Sequence, residues 1–191
     1  MPSPIGHILA GAATTIAADI VNPAPGKTGK PAGPRWRAPL AYGLLAAAPD
    51  LDLIYPPIHR TATHSVTAVA LAFIIAAALT GQVTRWRTAT VCALAYATHP
   101  LLDWLGADTL PPLGIELFWP FSNRWFISGV DLFRGTFRGH LFAPPVLMAN
   151  ALSVAQEIAI LLPIVVVLWL VRIKTAPRLA TELARSHHAA E

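Results

Sequence analysis

His99 and Asp103 lie four residues apart in the run Tyr96-Ala97-Thr98-His99-Pro100-Leu101-Leu102-Asp103-Trp104-Leu105, most of which is apolar. On a helix that spacing places both side chains on one face, one turn apart. An ionised carboxylate in apolar surroundings costs several kcal/mol or more unless it is paired or holds a cation. Any fold open to this chain must therefore give Asp103 a partner. A buried His–Asp hydrogen bond would do so, and so would a metal ion. His7, the pair Asp50 and Asp52, and the stretch His59 to Ser65 raise the same question, because they too stand at the ends of apolar segments.

Composition decides what surrounds those segments. The chain is 54% hydrophobic and only 13% charged, with a mean hydropathy of +0.53. Soluble domains carry about 25% charged residues, so a membrane is the expected solvent. The 191 residues suit one domain over 1–191 rather than two. Basic patches with interleaved aromatics are missing, and no nucleic-acid partner is expected. The single cysteine, Cys92, sits in an apolar run and reads as a small core residue. Residues 5–21 are apolar without a preceding Lys or Arg, which reads as retained structure rather than a signal peptide.

The apolar segments predict an all-α integral membrane bundle of about five helices, over 4–21, 38–48, 66–79, 88–105 and 147–171. The first is short for a span of about 20 residues, and the last is the strongest spanning candidate. Pro49 ends or kinks the second helix at Asp50-Leu51-Asp52. A Pro/Gly-rich basic linker fills 22–39, and a basic tail occupies 173–191. Residues 106–146 form a long connection rich in Gly, Pro and aromatics, expected to cap one end of the bundle; it holds Arg124, and also Glu116 and His140, whose roles stay open.

Alternating helix directions put the linker, the turn near Arg85 and the tail at one end. That end gathers Lys27, Lys30, Arg35, Arg37, Arg85, Arg87, Arg172, Lys174, Arg178 and Arg185, ten of the 14 basic residues. The positive-inside rule assigns it to the cytoplasm. His7, Asp50, Asp52, His59, His64, His99 and Asp103 then fall together at the opposite, non-cytoplasmic end. Histidine and carboxylate donors without thiolate suit zinc, with manganese or iron as less specific choices. Asp50 is the expected ligand of its pair, with Asp52 behind it or on a second ion. His64, at a helix start, is better placed than His59.

The ordered motifs Pro4-Ile5-Gly6-His7, Pro49-Asp50-Leu51-Asp52, His59-Arg60-x-x-Thr63-His64-Ser65, His99-x-x-Leu102-Asp103 and Leu117-x-Trp119-Pro120-Phe121-Ser122 resemble those of the bacterial YdjM-type membrane-bound metal-dependent hydrolases, over about residues 1–126. That family is grouped distantly with zinc-dependent phospholipase C and the fungal single-strand nucleases, which are all-helical and hold a cluster of zinc ions. The resemblance implies metal ligation by His7, Asp50, His64, His99 and Asp103. The further His and the His-x-x-x-Glu pair of that group have no counterpart here: Glu116 and His140 are not so spaced. One or two ions are therefore expected, rather than three.

Three functions follow. The first is hydrolysis of a phosphoester, a small molecule or a membrane lipid, by a metal-activated water. Asp52 or His59 would act as general base, and Arg60 and Arg124 would hold phosphate oxygens. The second is metal or proton transport, for which Glu157 inside the last helix is the clue. The third is a non-catalytic membrane scaffold. Ligands at helix ends on one face, rather than along a path, favour the first. Substrate, metal identity and oligomeric state are not legible.

Overall fold

A computed structural model describes residues 1–23 and 36–188, with side chains for all of these but Pro57 and 176–188. Among the described residues there are five α-helices and no strand: α1 Pro4–Val21, α2 Arg37–Ala47, α3 Val66–Leu79, α4 Arg85–Leu105 and α5 Pro144–His188. Two helices, α1 and α3, begin where an apolar run meets a capping serine. Ser3 caps α1, its hydroxyl accepting from Gly6 N, with Pro4 in the first turn. Ser65 caps α3 in the same way through Ala68 N. Pro49 disfavours a continued α-helix, and the chain passes from α2 into a 3-10 run, Ala48–Ile54. Lys27, Lys30 and Arg35 of the basic linker lie outside the described residues.

One element runs past its expected end. The basic tail from residue 173 continues α5 to His188. Its Ala, Leu, Glu and Arg content favours helix strongly enough to extend it beyond the apolar stretch.

Helix α1 packs against α2, α4 and α5, while α3 packs mainly on α4. The α1–α2 crossing depends on two glycines. A Cβ on Gly11 would fall 2.6 Å from the Cβ of Ala46, and one on Gly43 would fall 2.7 Å from the Ile8 carbonyl oxygen. Without side chains there, the backbones approach closely, as small residues allow in membrane bundles. That crossing brings the start of α1 to the end of α2.

Large apolar side chains face outward while several polar and charged ones are buried beside the apolar core. α3 has no buried residue although it is apolar throughout, and little of α5 is covered by the rest of the chain. The largest fully buried side chains include His7, His64, His99, Asp103 and Glu157. A soluble protein would not expose apolar surface on this scale. α1, and α5 over Pro144–Thr175, are long and apolar enough to cross a membrane, whereas α3 is shorter.

The two ends of the bundle differ. At one end Asp19 pairs with Arg87 and with Arg172, the latter at 2.5 Å, which joins the end of α1, the start of α4 and the lower part of α5. At the other end the connection after α4 folds back over the helix termini. Ala107 N donates to Phe133 O at 2.8 Å, Ile115 and Phe126 exchange backbone hydrogen bonds, and Val66 N, opening α3, donates to Leu117 O at 2.9 Å.

Candidate metal centre

The second end is where the chemistry collects. His7 comes from the first turn of α1 and Asp50 from the 3-10 run that follows α2. His64 ends a short 3-10 turn, Ala62–His64, and His99 and Asp103 lie in the last turns of α4. All five expected donors converge. Asp103 Oδ1 is 3.5 Å from His7 Nε2, and its Oδ2 is 3.4 Å from His64 Nε2 and 3.3 Å from His99 Nε2. Asp50 Oδ1 completes the ring at 3.9 Å from His64 Nε2 and 3.8 Å from His99 Nε2. The His7 and His99 rings stack with centroids 3.7 Å apart.

These donors are close yet unbonded. His7, His64 and His99 are 0% exposed and Asp103 is 1% exposed. The Nε2 atoms of all three histidines and both Asp103 oxygens have no hydrogen-bond partner. A protein does not ordinarily bury a carboxylate without one. A structural His–Asp pair, the rival reading, would ordinarily align its groups for that bond. Donor separations of 3.3–3.5 Å are close to the edge of a tetrahedron with bonds of ~2.0–2.1 Å, which is ~3.3–3.4 Å. The arrangement fits a cation of zinc size. Three donor groups could hold a metal ion: His7, Asp50 and His99; His64, His99 and Asp103; and Asp50, His59 and His64. The two Asp103 oxygens face different histidines, so the residue has the shape of a bridge.

A second layer turns the imidazoles toward the centre. His99 Nδ1–H donates to the Ala46 carbonyl at 2.8 Å, which leaves Nε2 with its lone pair facing inward. His64 Nδ1 lies 2.9 Å from the Thr63 hydroxyl, which in turn donates to Asp52 Oδ2 at 2.5 Å. Asp52 Oδ1 accepts from His59 Nδ1 at 2.5 Å. Burial would raise the Asp52 carboxyl, but the bonds from His59, His64 and Thr63 outweigh it and hold it well below the usual carboxylate range. Burial holds His64 below the ordinary imidazole value, against the pull of Asp52, so it is neutral at pH 7, the form that ligates.

The expected phosphate-binding arginines differ from one another. Arg60 stands at the rim with φ 71. Its Nη1 pairs with Asp108 and its guanidinium lies over the Trp125 ring, 5.3 Å from the centroid. Arg124 is exposed on the connection and makes no hydrogen bond or ion pair with the cluster. Glu116 reaches this region only by its backbone, N donating to Arg60 O at 2.9 Å, and His140 is exposed beside the start of α5. Glu157 is taken up elsewhere: its carboxylate accepts from Ser3 N at 2.7 Å, from the Ser3 hydroxyl and from Gly6 N at 3.1 Å. It closes the N-terminus of α1, one residue from His7. Ala46 O, Asp108 and the Glu157–Ser3 contact were not foreseen. A backbone carbonyl leaves no trace in composition, and Asp108 belongs to no spaced motif.

The family comparison meets this geometry directly. The model of the YdjM inner membrane protein family matches residues 1–177. The chain belongs to that family. The match spans every donor described above and extends through most of α5. No curated protein and no solved structure matches the chain significantly. For this YdjM-family protein the site's chemistry must therefore be read from its own residues.

Proposed function

We propose that this YdjM-family protein is a membrane-bound hydrolase that cleaves a phosphoester with the help of one or two divalent cations, most simply zinc, at the non-cytoplasmic face of the inner membrane. The observation that carries this is the buried, unbonded set of His7, His64, His99 and Asp103, with Asp50 beside it. When bound, such an ion supplies Lewis acidity and brings a water's pKa to near ~7. His7, Asp50, His64, His99 and Asp103 would hold it.

The remaining residues have definite work in this reading. Asp52 fixes His59 through Nδ1, and His59 Nε2 is buried without a partner, poised to take the proton of the attacking water and return it to the leaving oxygen. Arg60 uses Nη1 for Asp108 and Leu110 O, which leaves Nη2 and Nε to meet phosphate oxygens. Arg124, on the exposed connection, would engage substrate only from outside. The basic end, where Arg87 and Arg172 meet Asp19, faces the cytoplasm. The clue for transport is weakened because Glu157 is engaged with the α1 N-terminus.

The test is metal quantification of the purified protein together with hydrolysis of bis(p-nitrophenyl) phosphate. Wild type should retain about one or two equivalents of zinc and cleave the reporter. Asp103→Asn and His64→Ala should lose metal and activity together. Unchanged metal content in both folded variants would refute the site.

A further inference from the structure

Beside the centre, the bundle carries an apolar groove of about 560 Å³. Ala68, Ala72 and Ala76 recur every fourth residue along α3 and form its bed. Leu71, Ile75 and Leu79 line it from the same helix, and Leu45, Cys92 and Tyr96 from α2 and α4. The volume lies in the range of small-ligand sites, ~300–1,000 Å³, and the lining is nearly all apolar.

Its upper end is different. Thr63 and Trp119 close the groove there. Thr63 is the residue whose hydroxyl contacts both Asp52 and His64. Its carbonyl accepts from Tyr96 OH at 2.8 Å, so groove wall and metal centre share one residue. Below Thr67 the groove follows α3 to Leu79, twelve residues or ~18 Å of helix. One leaflet of hydrocarbon is ~15 Å deep, half of the ~30 Å core. A slot of leaflet depth, lined mostly by apolar side chains and most polar where it meets a candidate hydrolytic centre, matches the division of an amphiphile into tail and headgroup.

We infer that this groove holds an acyl chain of a bilayer phospholipid and presents that lipid's phosphodiester at the His64–Asp103 centre. The inference rests on the hydrolase reading for its chemistry and names its substrate class. Substrate enters sideways from the membrane between α2, α3 and α4, rather than from water. Attack by water forms a new P–O bond and breaks an existing ester P–O bond; the leaving alkoxide takes up a proton. The apolar product stays in the groove until it slides back into the leaflet.

Two measurements on the full chain in phosphatidylglycerol vesicles test this, with wild type, Ala72→Trp and Ala76→Phe, each checked for retained zinc. The first uses a phosphatidylglycerol bearing a diazirine late in its acyl chain. Labelling of the peptides around Ile75 and Cys92, relative to that around Val167 on α5, should fall at least fivefold in both variants. An equal ratio in all three proteins would overturn the inference. So would loss of a dimer in the variants with labelling unaltered, because the groove would then seat a second copy. The second measurement compares turnover of long-chain phosphatidylglycerol with that of bis(p-nitrophenyl) phosphate. The lipid-to-reporter ratio should drop about tenfold in the variants. Cleavage of the reporter at an unaltered ratio removes the groove and leaves the hydrolase reading standing. If wild type cleaves neither, the hydrolase reading falls and the substrate assignment falls with it, whereas the labelling result still decides occupancy by lipid.

Discussion

Thr63 holds a position out of proportion to its size. Its hydroxyl stands between a carboxylate and an imidazole, giving its proton to Asp52 and facing His64 Nδ1. The Nε2 of His64, a proposed ligand, is aimed by that arrangement, as that of His99 is aimed by a carbonyl. Partners of this kind change metal affinity by about 10–100-fold when removed. Asp52→Asn is therefore expected to weaken zinc binding by that factor, read by competition with a chromogenic chelator, while the protein still loads at saturating metal. Thr63→Val should do the same more mildly, and Thr63→Ser should restore wild-type affinity. An Asp52→Asn protein with unaltered zinc affinity would show that His64 is oriented by packing alone.

Between elements, the decisive contacts are a crossing and a cap. Gly11 and Gly43 let α1 and α2 touch, so that His7 and Asp50, on different helices, reach one centre. Gly43→Leu forces them apart; overpacking of this kind costs about 1–3 kcal/mol. The expected result is a lowered Tm with loss of bound zinc, although no ligand is altered. Glu157→Ala opens the N-terminus of α1, where Ser3 N and Oγ lose their acceptor and Gly6 N keeps only the Ser3 hydroxyl. A loss of about 1–3 kcal/mol in thermal or denaturant stability is expected, and zinc should exchange faster because His7 sits in the loosened turn. A variant as stable as wild type would remove the cap from this account. Much of this level was legible in the sequence. Apolar runs gave five helices, and alternating directions brought His7, Asp50, His64, His99 and Asp103 to one end. The contacts that tune that end were not legible. They run through a backbone carbonyl, a glycine crossing and a glutamate 154 residues from its serine partner, none of which has a local signature. Glu157 in particular has the sequence appearance of an ion-path residue and the structural role of a helix terminator.

At the scale of the whole molecule, polarity sets orientation. Arg87, Arg172 and Asp19 mark one end and the candidate metal centre the other. In a Cys92→Ala background, cysteines at Ser122 and Lys174 should respond oppositely to a membrane-impermeant maleimide: Ser122→Cys reacts in intact cells with a permeabilised outer membrane, and Lys174→Cys only after lysis. The reverse pattern would invert the protein. The Glu157 contact also bears on how the molecule is made. Every proposed ligand lies within the first 103 residues of the sequence described, so a ribosome delivers all of them before α5 exists. Yet the first of them, His7, lies in a turn whose terminus has the local Ser3 cap and is completed only when Glu157 of α5 arrives. The earliest donor synthesised is thus the last to be fixed in place. Under the proposed function, insertion of the final helix into the bilayer becomes the event that licenses the centre to load, and a chain arrested in synthesis before Glu157 would be released with its donors present and its site open.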